Sequence, residues 1–452
     1  MELQEREDQG TGKGPLRWFY SAAFFWLSLC LLGMFLYWEL MRRFAGLSPR
    51  LAEGSRDVTI YRRAGEEILA GEVPYRDFFI EYPPGSLPAF VPLALFSESR
   101  ETYASLFASE MALLLVAALA LTAYAARSLG HPWLLSAAVF AASAILLYPV
   151  AVTRYDAVVA LSFAAAVALT SGRVGGKRPA GVSASSAALL MAWASLGLGA
   201  AAKLAPALAA LPLALFAGRG GRTLGGVVRG ATLGFLAFSG VATAFFLPAL
   251  FFGGGGFIES FTYHAYRGLQ VESLASSVLM KLGYVEGSFC EFGAVEVWDP
   301  GVRLLSSLSL PITGLLVTVT AAAAYREWRG GRLGQGQFPR FAAAFVLAFL
   351  IGSKVLLSPQ YMIWLLPLVP LSAGGAWGLG VWAVFLSMCW MTTQIYPYHY
   401  LEVMNSRPPG TDILLGRNLL LVVLWGLMLS LPSENEKPDR PANQTAEQAG
   451  AS

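Results

Sequence analysis

The chain has 452 residues, of which 56% are hydrophobic and only 13% charged, with a formal net charge of +3. That is too little charge to cover a soluble protein of this length, and the basic residues are too scattered to form a nucleic-acid-binding surface. Apolar runs long enough to cross a bilayer recur along the whole chain, so the expected class is an all-α, polytopic transmembrane protein.

In chain order, residues 1–17 are polar and mixed in charge and read as a cytoplasmic segment. The run from Trp18 to Met41 is too long for a signal-peptide core and reads as an uncleaved first span. On a rule of about 20 residues per span, some twelve are expected. They lie at 18–41, 103–126, 134–152, 155–172, 185–201, 204–217, 230–252, 303–325, 341–357, 361–374, 376–396 and 414–431. The transmembrane region thus occupies 18–431, and the pairs around Lys203 and Gln360 are short enough to be re-entrant. Residues 433–452 are polar and rich in Pro, Asn and Gln, which predicts a disordered tail. Its sequon Asn443-Gln444-Thr445 carries little weight, because the topology puts the tail in the cytoplasm.

Three basic clusters set the orientation: Arg173, Lys177 and Arg178; Arg219, Arg222 and Arg229; and Arg326, Arg329, Arg332 and Arg340. All three fall on one side when both termini are cytoplasmic, as the positive-inside rule for a plasma-membrane protein requires; Arg42 and Arg43 oppose it. The same topology puts two long segments outside, 42–102 and 253–302, with short amphipathic helices expected in them. Internal repeats, which many transporters carry, are not evident. The three cysteines (Cys30, Cys290, Cys389) and three histidines (His131, His264, His399) show no metal-ligand spacing, so neither metal nor cofactor is expected.

The outer segments hold the polar residues that could do chemistry. Asp57 and Tyr61 share a helix face, followed by an apolar stripe through Ala64, Ile68 and Leu69, with Gly71 and Pro74 ending the helix. Asp57 reads either as a functional acid or as a capping acid favoured by the helix dipole. Next, Asp77, Glu81 and Tyr82 alternate with aromatics in a stretch that Pro83 and Pro84 keep from being helical. This suits a sugar ring, or an interfacial aromatic belt. Arg154-Tyr155-Asp156, Lys203-Leu204-Ala205-Pro206 and Lys354 place charges at span ends, where function competes with snorkelling. The stretch Tyr263 to Ser273, if helical, puts His264 and Arg267 on one face, with Gln270 and Glu272 beyond; such a pair suits phosphate oxygens. The topology places all of these on the outer face.

In this order the segments resemble the polytopic glycosyltransferases of the GT-C class, most closely the mannosyltransferase-like glycosyltransferase family 87. The resemblance rests on Asp57-x-x-x-Tyr61, Gly71-x-x-Pro74-Tyr75, Glu81-Tyr82-Pro83-Pro84, Arg154-Tyr155-Asp156, Lys203-x-x-Pro206, the His264 to Ser273 stretch, and Lys354 with Ser358-Pro359-Gln360-Tyr361. It implies inverting transfer of a sugar, with mannose expected, from a polyprenyl phosphate to a glycolipid or polysaccharide acceptor. It implies that Asp57 is the general base, with Asp77, Glu81 and Asp156 as rivals. Arg267, His264, Lys203 and Lys354 are the candidate phosphate ligands, and Tyr61, Tyr82, Arg154, Gln270, Glu272, Gln360 and Tyr361 complete the expected binding site. The alternatives are a secondary transporter of about twelve spans and a flippase or ligase for lipid-linked saccharide.

Overall fold

The computed structural model describes residues 15–47, 56–171, 186–217, 224–285, 287–291, 294–298, 302–330, 336–354, 358–372 and 375–431. The expected disordered tail with its sequon, most of the N-terminal segment, and Arg173, Lys177, Arg178, Arg219, Arg222 and Arg332 lie outside the described residues.

The principal helices are α1 (Pro15–Ala45), α2 (Arg56–Leu69), α3 (Arg100–Leu129), α4 (Trp133–Leu146), α5 (Ala157–Ser171), α6 (Ser186–Ala202), α7 (Ala210–Ala217), α8 (Leu224–Tyr266), α9 (Leu274–Leu282), α10 (Val302–Arg329), α11 (Gln337–Gly352), α12 (Gly375–Thr393) and α13 (Gly410–Ser430). Six helical stretches are long and apolar enough to cross a membrane: Ala22–Ala45, Arg100–Leu129, Val228–Tyr263, Leu304–Arg329, Trp377–Tyr398 and Gly410–Ser430. Six shorter apolar helices accompany them. Eleven of the twelve expected spans fall on one or other set.

The twelfth, 361–374, does not form an α-helix. Pro359, Pro367 and Pro370 remove amide donors within a dozen residues, and the chain winds instead through 3-10 turns at Pro359–Leu365 and Val369–Leu371. Every residue from Tyr361 to Ser372 is buried. The segment is an inner strut of the bundle, packed on α5, α11 and α12.

Small side chains allow the helices to approach closely, the usual solution where lipid supplies no hydrophobic drive between them. Helix α5, mostly alanine and valine, packs between α3 and α6, and α6 packs along α8. The 3-10 turn Pro84–Ala89 sits against the end of α6. A Cβ at Gly85 would lie 2.4 Å from the Ala201 backbone carbon, so only glycine fits there.

The expected amphipathic helix is α2. Val58, Tyr61, Ala64 and Gly65 form its buried face, and the pairs Arg62–Glu66 and Arg63–Glu67 lie four residues apart on its outer faces. Gly71, at φ +92°, takes the left-handed turn that follows it. Helix α8 is the longest, and it bends at Gly254 within Gly253–Gly256. The glycines admit the 73–78 turn: a Cβ at Gly256 would lie 1.9 Å from the Tyr75 carbonyl oxygen.

After α8 the chain forms a feature the sequence reading did not anticipate, a three-stranded antiparallel sheet in the order β1 (Leu269–Gln270), β3 (Ala294–Trp298), β2 (Gly287–Glu291). Leu269 pairs with Val297 and Gln270 with Glu296. The expected single helix over 263–273 therefore ends at Tyr266, and Arg267 leads into a strand.

Candidate active site

Asp57 stands in the first turn of α2, just after the first long helix. Its Oδ1 accepts a hydrogen bond of 2.8 Å from the Tyr82 hydroxyl, and its Oδ2 lies 2.9 Å from Arg154 Nη2. The Asp57 side chain keeps 26% of its surface exposed while Arg154 keeps 10%. A carboxylate has about four acceptor positions, so this one is oriented without being saturated. Behind it, Tyr61 is buried and stacked on Phe90 at 4.3 Å, with Tyr82 and Tyr155 edge-on. Tyr61 therefore serves as the wall that fixes Tyr82.

Two residues beyond Arg154, the buried Asp156 carboxylate meets Lys203 Nζ at 2.8 Å and accepts from the Trp364 indole on the same oxygen. The ammonium also lies over the rings of Tyr155 (4.8 Å), Tyr361 (4.8 Å) and Trp364 (5.5 Å). The break in helix between α6 and the Ala205–Ala209 turn brings Lys203 here, and the proline-rich strut brings Tyr361 and Trp364. Lys203 is thus caged by aromatic faces and a carboxylate, and it is no simple interfacial anchor.

The third group joins the two outer segments. Tyr263 donates to Glu81 Oε2 at 3.0 Å. Burial pushes the Glu81 carboxyl above its usual range; the Tyr263 hydrogen bond and the Arg267 charge oppose this, and the Asp57 charge adds to it. Arg267 lies 3.6 Å from Glu296 Oε1, and its Nε has no hydrogen-bond partner. Glu296 Oε2 accepts the Gly268 amide at 2.7 Å. Lys354 Nζ donates to the Arg267 carbonyl (2.7 Å), and Gln270 donates to Ser358 (2.9 Å) and takes the Lys354 carbonyl on its own amide (2.9 Å). Lys354 and Gln270 therefore brace the strap that carries Arg267. Glu272 is buried behind it, 3.6 Å from Arg417, while Asn418 holds its carbonyl at 3.1 Å. Burial pushes Glu272 up against the pull of Arg417 and Arg154.

Asp77 stands apart. It is bonded to Arg76 and to the Val73 amide at an exposed turn, and these contacts hold its carboxyl down at about 2. Gln360 is half-buried in the strut. The His264 side chain lies outside the described residues.

Several contributors were missed in the sequence. Arg417-Asn418 interrupts an apolar run, and an Arg in such a place marks function or a buried partner. Glu296 shows in the alternation of Val295-Glu296-Val297. Tyr396, whose hydroxyl accepts from Arg154 at 3.4 Å, lies in the run Tyr396-Pro397-Tyr398-His399-Tyr400. Tyr263 and Trp364 give no separate signal.

The arrangement places an oriented, partly exposed carboxylate, an incompletely bonded guanidinium and several tyrosine hydroxyls in one polar cluster. Among known proteins, no curated one matches the chain. One solved structure it resembles is that of ArnT from Cupriavidus metallidurans bound to undecaprenyl phosphate. The identity is 16% and the TM-score 0.45, over 89% of this chain and 77% of that one. The family model for glycosyltransferase family 87 matches residues 79–359, more than half of the chain and most of the cluster just described. The chain is therefore a membrane protein belonging to glycosyltransferase family 87.

Proposed function

We propose that this glycosyltransferase moves a sugar, with mannose as the first candidate, from a polyprenyl phosphate to a lipid-linked or polysaccharide acceptor at the outer face of the plasma membrane. The observation that carries the reading is Asp57, oriented by Tyr82 and Arg154 with lone pairs to spare, in the same cluster as Arg267.

Asp57 takes the proton of the acceptor hydroxyl as that oxygen attacks the anomeric carbon. The bond from the anomeric carbon to the phosphate oxygen breaks, and the electron pair leaves with the polyprenyl phosphate. Configuration inverts, because attack and departure occur on opposite faces. Arg267 faces the leaving phosphate, where its guanidinium stabilises the charge that develops. His264 is kept as a second phosphate ligand from its place in the sequence. Lys203 and Lys354 act at one remove, through the aromatic cage and through the strap.

Wild type and Asp57→Asn, purified and reconstituted, are offered a panel of polyprenyl-phosphate sugars with an envelope-lipid acceptor extract. Transfer by wild type, lost in a variant that still folds and binds donor, supports the reading. Equal transfer by both moves the base to Glu81 or Asp156. Absence of transfer from every donor, with a competent acceptor pool, sinks the proposed donor.

A further inference from the structure

Beside the Asp57–Arg154 pair lies a set of tyrosines that the proposed mechanism leaves unused. Helix α12 ends at Thr393, and the next turn is broken at Tyr396, whose backbone is extended (φ −120°, ψ 118°) ahead of Pro397. The break turns three tyrosines and a histidine out of the helix line. Three contacts tie this segment to residues 146–154. Thr393 Oγ1 donates to the Leu146 carbonyl, the Tyr148 and Tyr398 hydroxyls meet at 2.8 Å, and Arg154 donates to Tyr396. Arg43, at the end of α1, lies 5.3 Å over the Tyr148 ring.

The rim is held in place yet open. Tyr398 is 59% exposed, although its hydroxyl is anchored on that of Tyr148. A tyrosine that offers both a ring face and a hydroxyl is suited to a molecule with both apolar C–H faces and hydroxyls. Charge is sparse here: His399 is paired with Glu402 at 3.1 Å, and Arg43 is shared with Glu39 at 2.6 Å. Arg267 belongs to the Glu81 side of Asp57. The two sides of the base therefore differ in chemistry: one sets Arg267 among the carboxylates Glu81 and Glu296, and the other is lined by tyrosines, with Arg154 paired to Asp57 and Arg43 to Glu39.

We infer that Tyr396, Tyr398 and Tyr148 form the subsite for the acceptor's saccharide, stacking a sugar ring and presenting its hydroxyl to Asp57. The inference rests on the reading of Asp57 as base. Two of its three tyrosines, Tyr396 and Tyr398, lie beyond the stretch that matches the family, which ends at residue 359.

The test uses octyl α-mannoside and octyl α-glucoside, each with a diazirine on the sugar, as photoprobes of the full-length protein in micelles. Crosslinks on residues 394–400 and on Tyr148, competed away by the unlabelled glycoside, are expected. Crosslinks confined to other segments, or not competed, overturn the subsite. In the transfer assay, Tyr398→Ala raises the acceptor KM about tenfold and leaves the donor KM within about twofold, the scale of one lost ring contact. Tyr398→Trp, which keeps a ring face, recovers part of the loss. An interfacial anchor predicts instead that Tyr398→Ala changes the yield of folded protein but neither KM, and that result overturns the inference with the transferase reading intact. If wild type transfers nothing, the transferase reading fails and the competed crosslinks alone decide the subsite.

Discussion

At the residue scale, the four acids weighed as the base stand in different surroundings. Asp77 is held ionised by its own turn, bonded to Arg76 and the Val73 amide. Asp156 is 1% exposed, with Lys203 and Trp364 on one oxygen, so it organises the cage. Asp156→Asn should therefore lower stability by roughly 3 kcal/mol, the scale of breaking a buried ion pair, read as thermal unfolding in detergent. Asp57→Asn, at a carboxylate that keeps 26% of its surface exposed, should cost less stability than Asp156→Asn while transfer falls about 10²- to 10⁴-fold, the range of general-base removal. Glu81 gives a pH signature. Its folded carboxyl titrates above the ordinary 4.5, so the folded state holds the proton more tightly than the unfolded chain does. That contribution to stability is present below pH 4.5 and declines as pH rises from there through the raised folded value. Glu81→Gln should flatten the fall in melting temperature over that interval; an unchanged slope would place the burial cost elsewhere.

At the scale of elements, the site depends on breaks in helices. Lys203 lies where α6 stops, Arg267 where α8 stops, Tyr396 where α12 stops, and Trp364 in a strut that prolines keep from becoming a helix. Each break directs a polar or aromatic side chain to a place that a continuous span would not reach. The bend of α8 is the most demanding, because the Tyr75 carbonyl occupies the position of a Gly256 Cβ. Gly256→Ala should destabilise by on the order of 1–3 kcal/mol, the usual cost of overpacking. It should also reduce transfer more than stability alone explains, because the displaced turn bears the Tyr75 hydroxyl that holds the Tyr82 carbonyl. Melting temperature and rate measured on the same preparation separate the two effects.

At the scale of the molecule, Asp57, Glu81, Arg154, Arg267 and Tyr396 come from five separate stretches of chain and meet in one region. Under the proposed topology that region faces outward. Single cysteines introduced as Glu98→Cys and Tyr284→Cys, in a Cys290→Ser background, should then react in whole cells with a membrane-impermeant maleimide. Gly330→Cys should react only after permeabilisation. The reverse pattern would turn the molecule over and move the chemistry to the cytoplasm.

Residue chemistry along the chain was sufficient to show a helical membrane protein, because hydropathy is additive over a span and independent of what packs beside it. It also singled out Arg154, Asp156 and Lys203, since charge at a span end is costly wherever it occurs, and Asp57, Glu81 and Arg267 as polar residues of the two outer segments. Pairing was not legible. That Arg154 joins Asp57 depends on where α2 packs, and that Lys203 joins Asp156 depends on how closely the small side chains of α5 and α6 let them approach. The strut at 359–372 is as apolar as a span, and only tertiary packing decided that its prolines would give a buried 3-10 path. The sheet and the tyrosine rim were settled in the same way: a two-residue strand or a broken helix end is too short to carry a periodic signal, and exists because neighbouring elements complete its hydrogen bonds.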